Sequence, residues 1–145
     1  MAFPDPKPGL VIRYSYLWRR EHVAGQEEGE KDRPCAIVAA IRTEQGDTRV
    51  LVLPITHSTP ESGSVAIEIP KPIKANLGLD ELRSWIVVSE YNEFVWPGPD
   101  LRPVSGSADG SIVYGFLTPG LFETVRKVLL EHIRSGRAKA VRRTE

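Results

Sequence analysis

The spacing of its apolar runs constrains this chain more than any other feature. Between residues 10 and 90, β-branched, aliphatic and aromatic side chains arrive in short bursts: LVIRYSYLW (10–18), CAIVAAIR (35–42), RVLVLPIT (49–56), SVAIEI (64–69) and WIVVSE (85–90). Runs of this length and composition, bounded by Gly, Pro and polar residues, read as strands. CAIVAAIR is apolar throughout, the pattern of a strand covered on both faces, so it is expected to be central. The turn EQGDT (44–48) with Gly46 and Asp47 joins it to RVLVLPIT as a hairpin. KPIKANLGLDEL (71–82) holds one Pro and one Gly and predicts a helical turn or two. NEFVWPGPDLRPVSGSADGS (92–111) is turn-rich, with its EFV extending a strand.

Helical periodicity is plain only in TPGLFETVRKVLLEHIRSG (118–136). Thr118 is placed to cap, Pro119 to fill the first helical position and Gly136 to end the helix. Leu121, Val125, Val128, Leu129 and His132 or Ile133 share one face. Short strands followed by one amphipathic helix predict a mainly β fold, a small barrel of about five to seven strands with a C-terminal α-helix packed on it. The length of 145 residues suits one domain, 1–145, with an extended lead-in at 1–8, a long polar loop at 19–33 and a frayed basic tail at 137–145.

Composition excludes more than it assigns. The 19 basic and 19 acidic residues cancel, so bulk charge predicts no partner. A single cysteine, Cys35, rules out an intrachain disulfide and suits a reducing, cytoplasmic setting. Its apolar neighbours make it a core residue rather than a nucleophile. The opening MAFPDPKPG has no apolar leader, and no run approaches the ~18 residues of a membrane span, so no membrane is expected. There is no Gly-rich phosphate loop, Cys–Cys pair or HExxH, and His22, His57 and His132 lack metal-ligand spacing and a supporting carboxylate cluster. No cofactor and no metal are therefore expected.

Two short pieces carry chemistry. In KDRP (31–34), Pro34 biases Arg33 to an extended backbone and aims its guanidinium away from the sheet edge. In PITHS (54–58), an apolar strand ends abruptly in Thr56, His57 and Ser58. Counting back through the hairpin turn sets residue 34 roughly opposite 56, so Arg33 and Thr56 should be close. A fixed cation beside a hydroxyl suits a phosphate.

The order Gly9-Leu10-Val11-Ile12, a long loop, Arg33-Pro34-Cys35-Ala36-Ile37-Val38, then Val52-Leu53-Pro54-Ile55-Thr56 resembles the MazF/PemK (Kid-like) family of toxin endoribonucleases. The likeness continues through Leu79 and Ser84-Trp85-Ile86-Val87-Val88-Ser89 to the helix beginning near Thr118. It departs at Leu10, where the family usually carries an acid, and in the WPGP turn after residue 95. The resemblance implies an SH3-like barrel, a homodimer, metal-independent cleavage of single-stranded RNA, growth inhibition, and neutralisation by a small cognate antitoxin. It carries the catalytic roles onto Arg33 and Thr56. His57 and His22 are candidates for proton transfer, and Ser58, Ser89 and Trp96 for contact with RNA; Trp18 and Trp85 are expected in the core. Against these stand plainer alternatives: Arg33 as a surface arginine paired with Asp32 or Glu30, and the chain as a non-catalytic, CcdB-like binding module with a protein target or as an inactive homologue.

Overall fold

A computed structural model describes residues 3–26, 29, 31–60 and 65–143. Among them the elements run β1 (Leu10–Tyr14), α1 (Arg19–Val23), β2 (Arg33–Arg42), β3 (Thr48–Thr56), β4 (Ala66–Glu68), α2 (Lys71–Asn76), β5 (Trp85–Val87), β6 (Glu90–Val95), β7 (Val113–Phe116), α3 (Pro119–Arg134) and β8 (Lys139–Arg142). The fold is mainly β with a C-terminal helix, as the run lengths predict. It holds eight strands rather than five to seven. The extra ones are β6, which begins at the last residue of WIVVSE and runs through EFV, the short β7, and β8 in the tail expected to fray.

The strand path is β4-β5-β3-β2-β1-β7, with β6 added on β3 and β8 on β6. All pairings are antiparallel except β6 with β8. No pairing joins β4 to β7, so the sheet curls without closing as a barrel. The curl centres on β3. Its outer edge pairs with β6 over Arg49–Val52 and with β5 over Ile55–Thr56. Leu53 and Pro54 fall in the gap between those partners, where a residue without an N–H interrupts least.

Both faces of the central strands are buried, as the unbroken apolar runs require. Val11, Ala36, Leu53 and Ile55 point to a core shared with Val125 and Leu129 of α3. Their neighbours Ile12, Cys35, Ile37 and Val52 point to a second core with Tyr14, Tyr16 and Phe94, where Tyr14 stacks on Phe94 at 4.6 Å. In α3 the Thr118 hydroxyl accepts the Leu121 N–H at 3.3 Å. His132 rather than Ile133 completes its buried face, since Ile133 is 39% exposed. Full burial of Val125 and Leu129 contributes about 1.5–3 kcal/mol each.

The hairpin turn forms where expected, with Gly46 at φ 91 and the Thr43 N–H bonded to the Asp47 carbonyl at 2.7 Å. Next to the turn, Ala39 faces Leu51 and Arg42 faces Thr48. A register shift between Ile37 and Ala39 then moves the pairing by one, so that Ile37 faces Val52 and Cys35 faces Pro54. Carried two residues further, that register sets Arg33, not Pro34, opposite Thr56. A β-bulge thus aligns the two residues more closely than simple counting does.

The tail is not frayed. β8 lies parallel to β6, Val141 is 1% exposed, and Arg143 is buried. Its guanidinium meets Asp100 at 3.0 Å, the Ser15 carbonyl at 2.7 Å, and the Asn92 side-chain oxygen at 3.3 Å. The segment after residue 18 also differs from a structureless loop. It begins with α1, whose first turn is tied by the Glu21 carboxylate accepting the Trp18 N–H at 3.0 Å. The acids Glu27, Glu28 and Glu30 lie outside the described residues.

Candidate active site

The ends of β2 and β3 open into a cleft of about 780 Å³ lined by Arg33, Thr56, His57, Ser58 and Ser89 among others. Five of the seven candidate residues therefore share one surface. His22 is exposed on α1 and is not part of that lining. Trp96 is not part of it either: its indole N–H donates to the Pro4 carbonyl at 3.0 Å, and its ring packs near Phe94 in the second core. The aromatics lining the cleft are Tyr114 and Trp18, the latter half-buried at the N-cap of α1. Trp85 is buried, as expected.

Arg33 does not pair with Asp32. That carboxylate instead faces Arg13 at 4.0 Å and Arg102 at 3.7 Å. The Arg33 guanidinium carbon lies 5.1 Å from the centre of the Trp18 ring, and its Nε is buried with no hydrogen-bond partner among the described residues. Thr56 is half-buried, and its Oγ1 accepts the Ser58 N–H at 3.1 Å. That bond is a hydroxyl turn closing the strand end. The Thr56 hydroxyl proton has no acceptor among the described residues and can still be donated. The strand end thus combines both features: the Thr56 oxygen shapes the loop, and Thr56 lines the cleft.

His57 has the carboxylate that its sequence surroundings lack. Asp80 Oδ2 lies 2.9 Å from its Nε2, while the Arg83 carbonyl and the Ser84 hydroxyl lie 3.0 and 3.1 Å from its Nδ1. Asp80 is held in turn by the buried Lys74 ammonium at 3.1 Å and by the Leu82 N–H at 3.1 Å. Burial pulls the Asp80 carboxyl upward, but the Lys74 hydrogen bond, the His57 and Lys74 charges and the Leu82 N–H outweigh it, leaving Asp80 below the usual aspartate range. With both ring nitrogens engaged, His57 in this arrangement ties the end of β3 to the α2–β5 connection. The Asp80 partner is 23 positions away in sequence, and no local signal marks it.

No family model, curated protein or solved structure matches this chain.

Four acids (Glu21, Asp32, Asp80 and Glu90) and four cations (Arg13, Arg20, Lys31 and Arg33) line the cleft, and they differ in how they are partnered. Its acids are engaged: Asp32 by two arginines, Asp80 by Lys74 and His57, and Glu21 by the Trp18 N–H. Glu90 accepts the Arg19 N–H at 2.9 Å and the Tyr16 hydroxyl at 3.1 Å. Burial raises the Glu90 carboxyl above the ordinary glutamate value, and those hydrogen bonds and nearby arginine charges offset only part of the rise. Among the described residues, Arg20, Lys31 and Arg33 line the same cleft with no carboxylate within 4 Å. A half-buried cation with an unused donor, facing a hydroxyl across a strand pair, suits an oxyanion.

Proposed function

We propose that this protein is a toxin endoribonuclease of the MazF/PemK type, cleaving single-stranded RNA through its own side chains. The observation that supports this most is the end of the β2–β3 hairpin. Arg33 and Thr56 both line the cleft, opposite one another if the bulged register is continued two residues past its last pair, Cys35 with Pro54, and the Arg33 charge is uncommitted to any carboxylate among the described residues. In the reaction the 2′-hydroxyl gives its proton to solvent water as its oxygen attacks the adjacent phosphorus, the P–O5′ bond breaks, and the leaving 5′-oxygen takes a proton from water. The products are a 2′,3′-cyclic phosphate and a 5′-hydroxyl end. Arg33 meets the negative charge that grows on the non-bridging oxygens, and a donor already in place costs no reorganisation as that charge develops. Thr56 donates its hydroxyl proton to a phosphate oxygen and fixes the scissile group beside Arg33. A homodimer and a small antitoxin as partner belong to the same proposal.

The test is incubation of a long single-stranded RNA with the protein in EDTA, with the fragment ends assayed for cyclic phosphate. Arg33→Met and Thr56→Val keep side-chain volume while removing the charge and the hydroxyl. Each is expected to slow cleavage about 10²–10³-fold, the scale of losing one transition-state donor. Intact RNA with the folded wild-type protein would overturn the proposal. Unchanged rates in both variants would overturn the residue roles.

A further inference from the structure

Four arginines among the described residues are buried or half-buried: Arg13, Arg33, Arg102 and Arg143. Three of them sit against carboxylates, Arg13 and Arg102 at Asp32 and Arg143 at Asp100. Arg143 also lies over the Tyr14 ring at 5.5 Å, but Arg33 has a ring, 5.1 Å away at Trp18, and no carboxylate among the described residues. Its guanidinium makes no hydrogen bond to a described residue, and its Nε is buried without one. The ring is itself fixed on several sides. Trp18 packs edge-on to Tyr16 at 5.2 Å, and its backbone N–H is held by Glu21 as α1 begins. The exposed Arg20 also lies over it at 5.1 Å.

A carboxylate and an indole both localise a guanidinium, but they leave it in different states. A carboxylate takes up the fork of N–H donors and cancels the charge, so a phosphate has to displace it. An indole face attracts the cation through its quadrupole, uses none of the in-plane donors and leaves the full positive charge.

We infer that Trp18 is a positioning residue for Arg33, holding its guanidinium in the cleft by cation–π contact while leaving its charge and donors free for a phosphate of single-stranded RNA. The inference rests on the RNA-cleavage reading. It adds that the aromatic ring acts through Arg33 rather than by direct contact with a base. The orphaned Nε and the absence of a carboxylate partner among the described residues then share an explanation: the polar partner of Arg33 is the ligand.

A double-mutant cycle tests this on binding, without requiring turnover. The probe is a short single-stranded RNA with a 2′-O-methyl group at each nucleotide, which blocks the attacking hydroxyl and cannot be cleaved. Trp18→Leu is expected to weaken its binding about tenfold in the wild-type background, within the range of a partly desolvated cation–π contact. In the Arg33→Met background Trp18→Leu is expected to cost less than twofold, because the group it positions is gone. Trp18→Phe, which keeps a ring face, is expected to retain most of the affinity. Trp18→Phe also carries the cycle if the leucine variant fails to fold, with its smaller loss again confined to the Arg33 background. Equal losses in both backgrounds would mean that Trp18 touches the nucleic acid itself or only supports the fold, and would overturn the inference. So would wild-type affinity in Trp18→Leu. Cleavage by the wild-type protein together with an additive cycle removes this inference alone. A wild-type protein that neither cleaves RNA nor binds the probe removes the functional reading and this inference with it.

Discussion

Removing the Arg143 side chain is the perturbation for which the structure gives the clearest magnitude. Its guanidinium is 3% exposed and pairs with the Asp100 carboxylate, which is 10% exposed, at 3.0 Å. Truncation to alanine leaves that carboxylate buried beside an emptied site, and the Ser15 carbonyl loses a donor at 2.7 Å. Breaking a buried ion pair from one side costs about 3–5 kcal/mol. Arg102 lies 3.9 Å from the other Asp100 oxygen and keeps part of the compensation, so the low end applies, about 3 kcal/mol. For a domain of this size that corresponds to a fall in Tm of about 6–12 °C. Urea unfolding followed by circular dichroism measures it directly as a shift in midpoint at constant slope. Adding Asp100→Asn to Arg143→Ala is expected to restore part of the loss, because the uncompensated charge is then removed as well. A cost below about 1 kcal/mol would refute the reasoning and return the tail to the exposed, dispensable segment its charge suggests.

Two further outcomes follow from single groups. The raised Glu90 carboxyl means that the folded state binds its proton more tightly than the unfolded chain, so Glu90 contributes stability below the unfolded value that is lost as pH rises through the folded one. Glu90→Gln, which mimics the protonated form, is therefore expected to gain in Tm over the wild type as pH rises above the ordinary glutamate value of about 4.3, and a pH-independent difference would contradict the assignment. Thr118→Ala removes the cap on the Leu121 N–H and is expected to destabilise α3 by about 1 kcal/mol in the same urea assay, against no change if the cap is idle.

What was legible in the sequence was decided within a few residues. The 44–48 turn, the Thr118 cap and the apolar face of α3 depend on neighbours that the chain itself supplies. β7 escaped because four residues containing Gly115 carry too little pattern, and they become a strand only through pairing with β1. The tail KAVRR reads as a charge run, and its strand appears only when β6 offers an edge and Asp100 a buried partner for Arg143. Among the tryptophans, the Pro/Gly loop around Trp96 suggested exposure. That ring instead packs against Phe94, while the turn into α1 places Trp18 in the cleft.

The candidate site divides in the same way. That Arg33 and Thr56 should meet follows from the sequence alone, because a tight hairpin lets positions be counted across it with an error of one residue, the error the Val38 bulge introduces. Their electrostatic setting does not follow from it. Whether Arg33 meets Asp32 or Trp18, and whether His57 is free or tied to Asp80, depends on segments that return from elsewhere in the chain. Coulomb and cation–π energies fall off over a few ångströms, so these contacts exist only once the tertiary fold has set those distances.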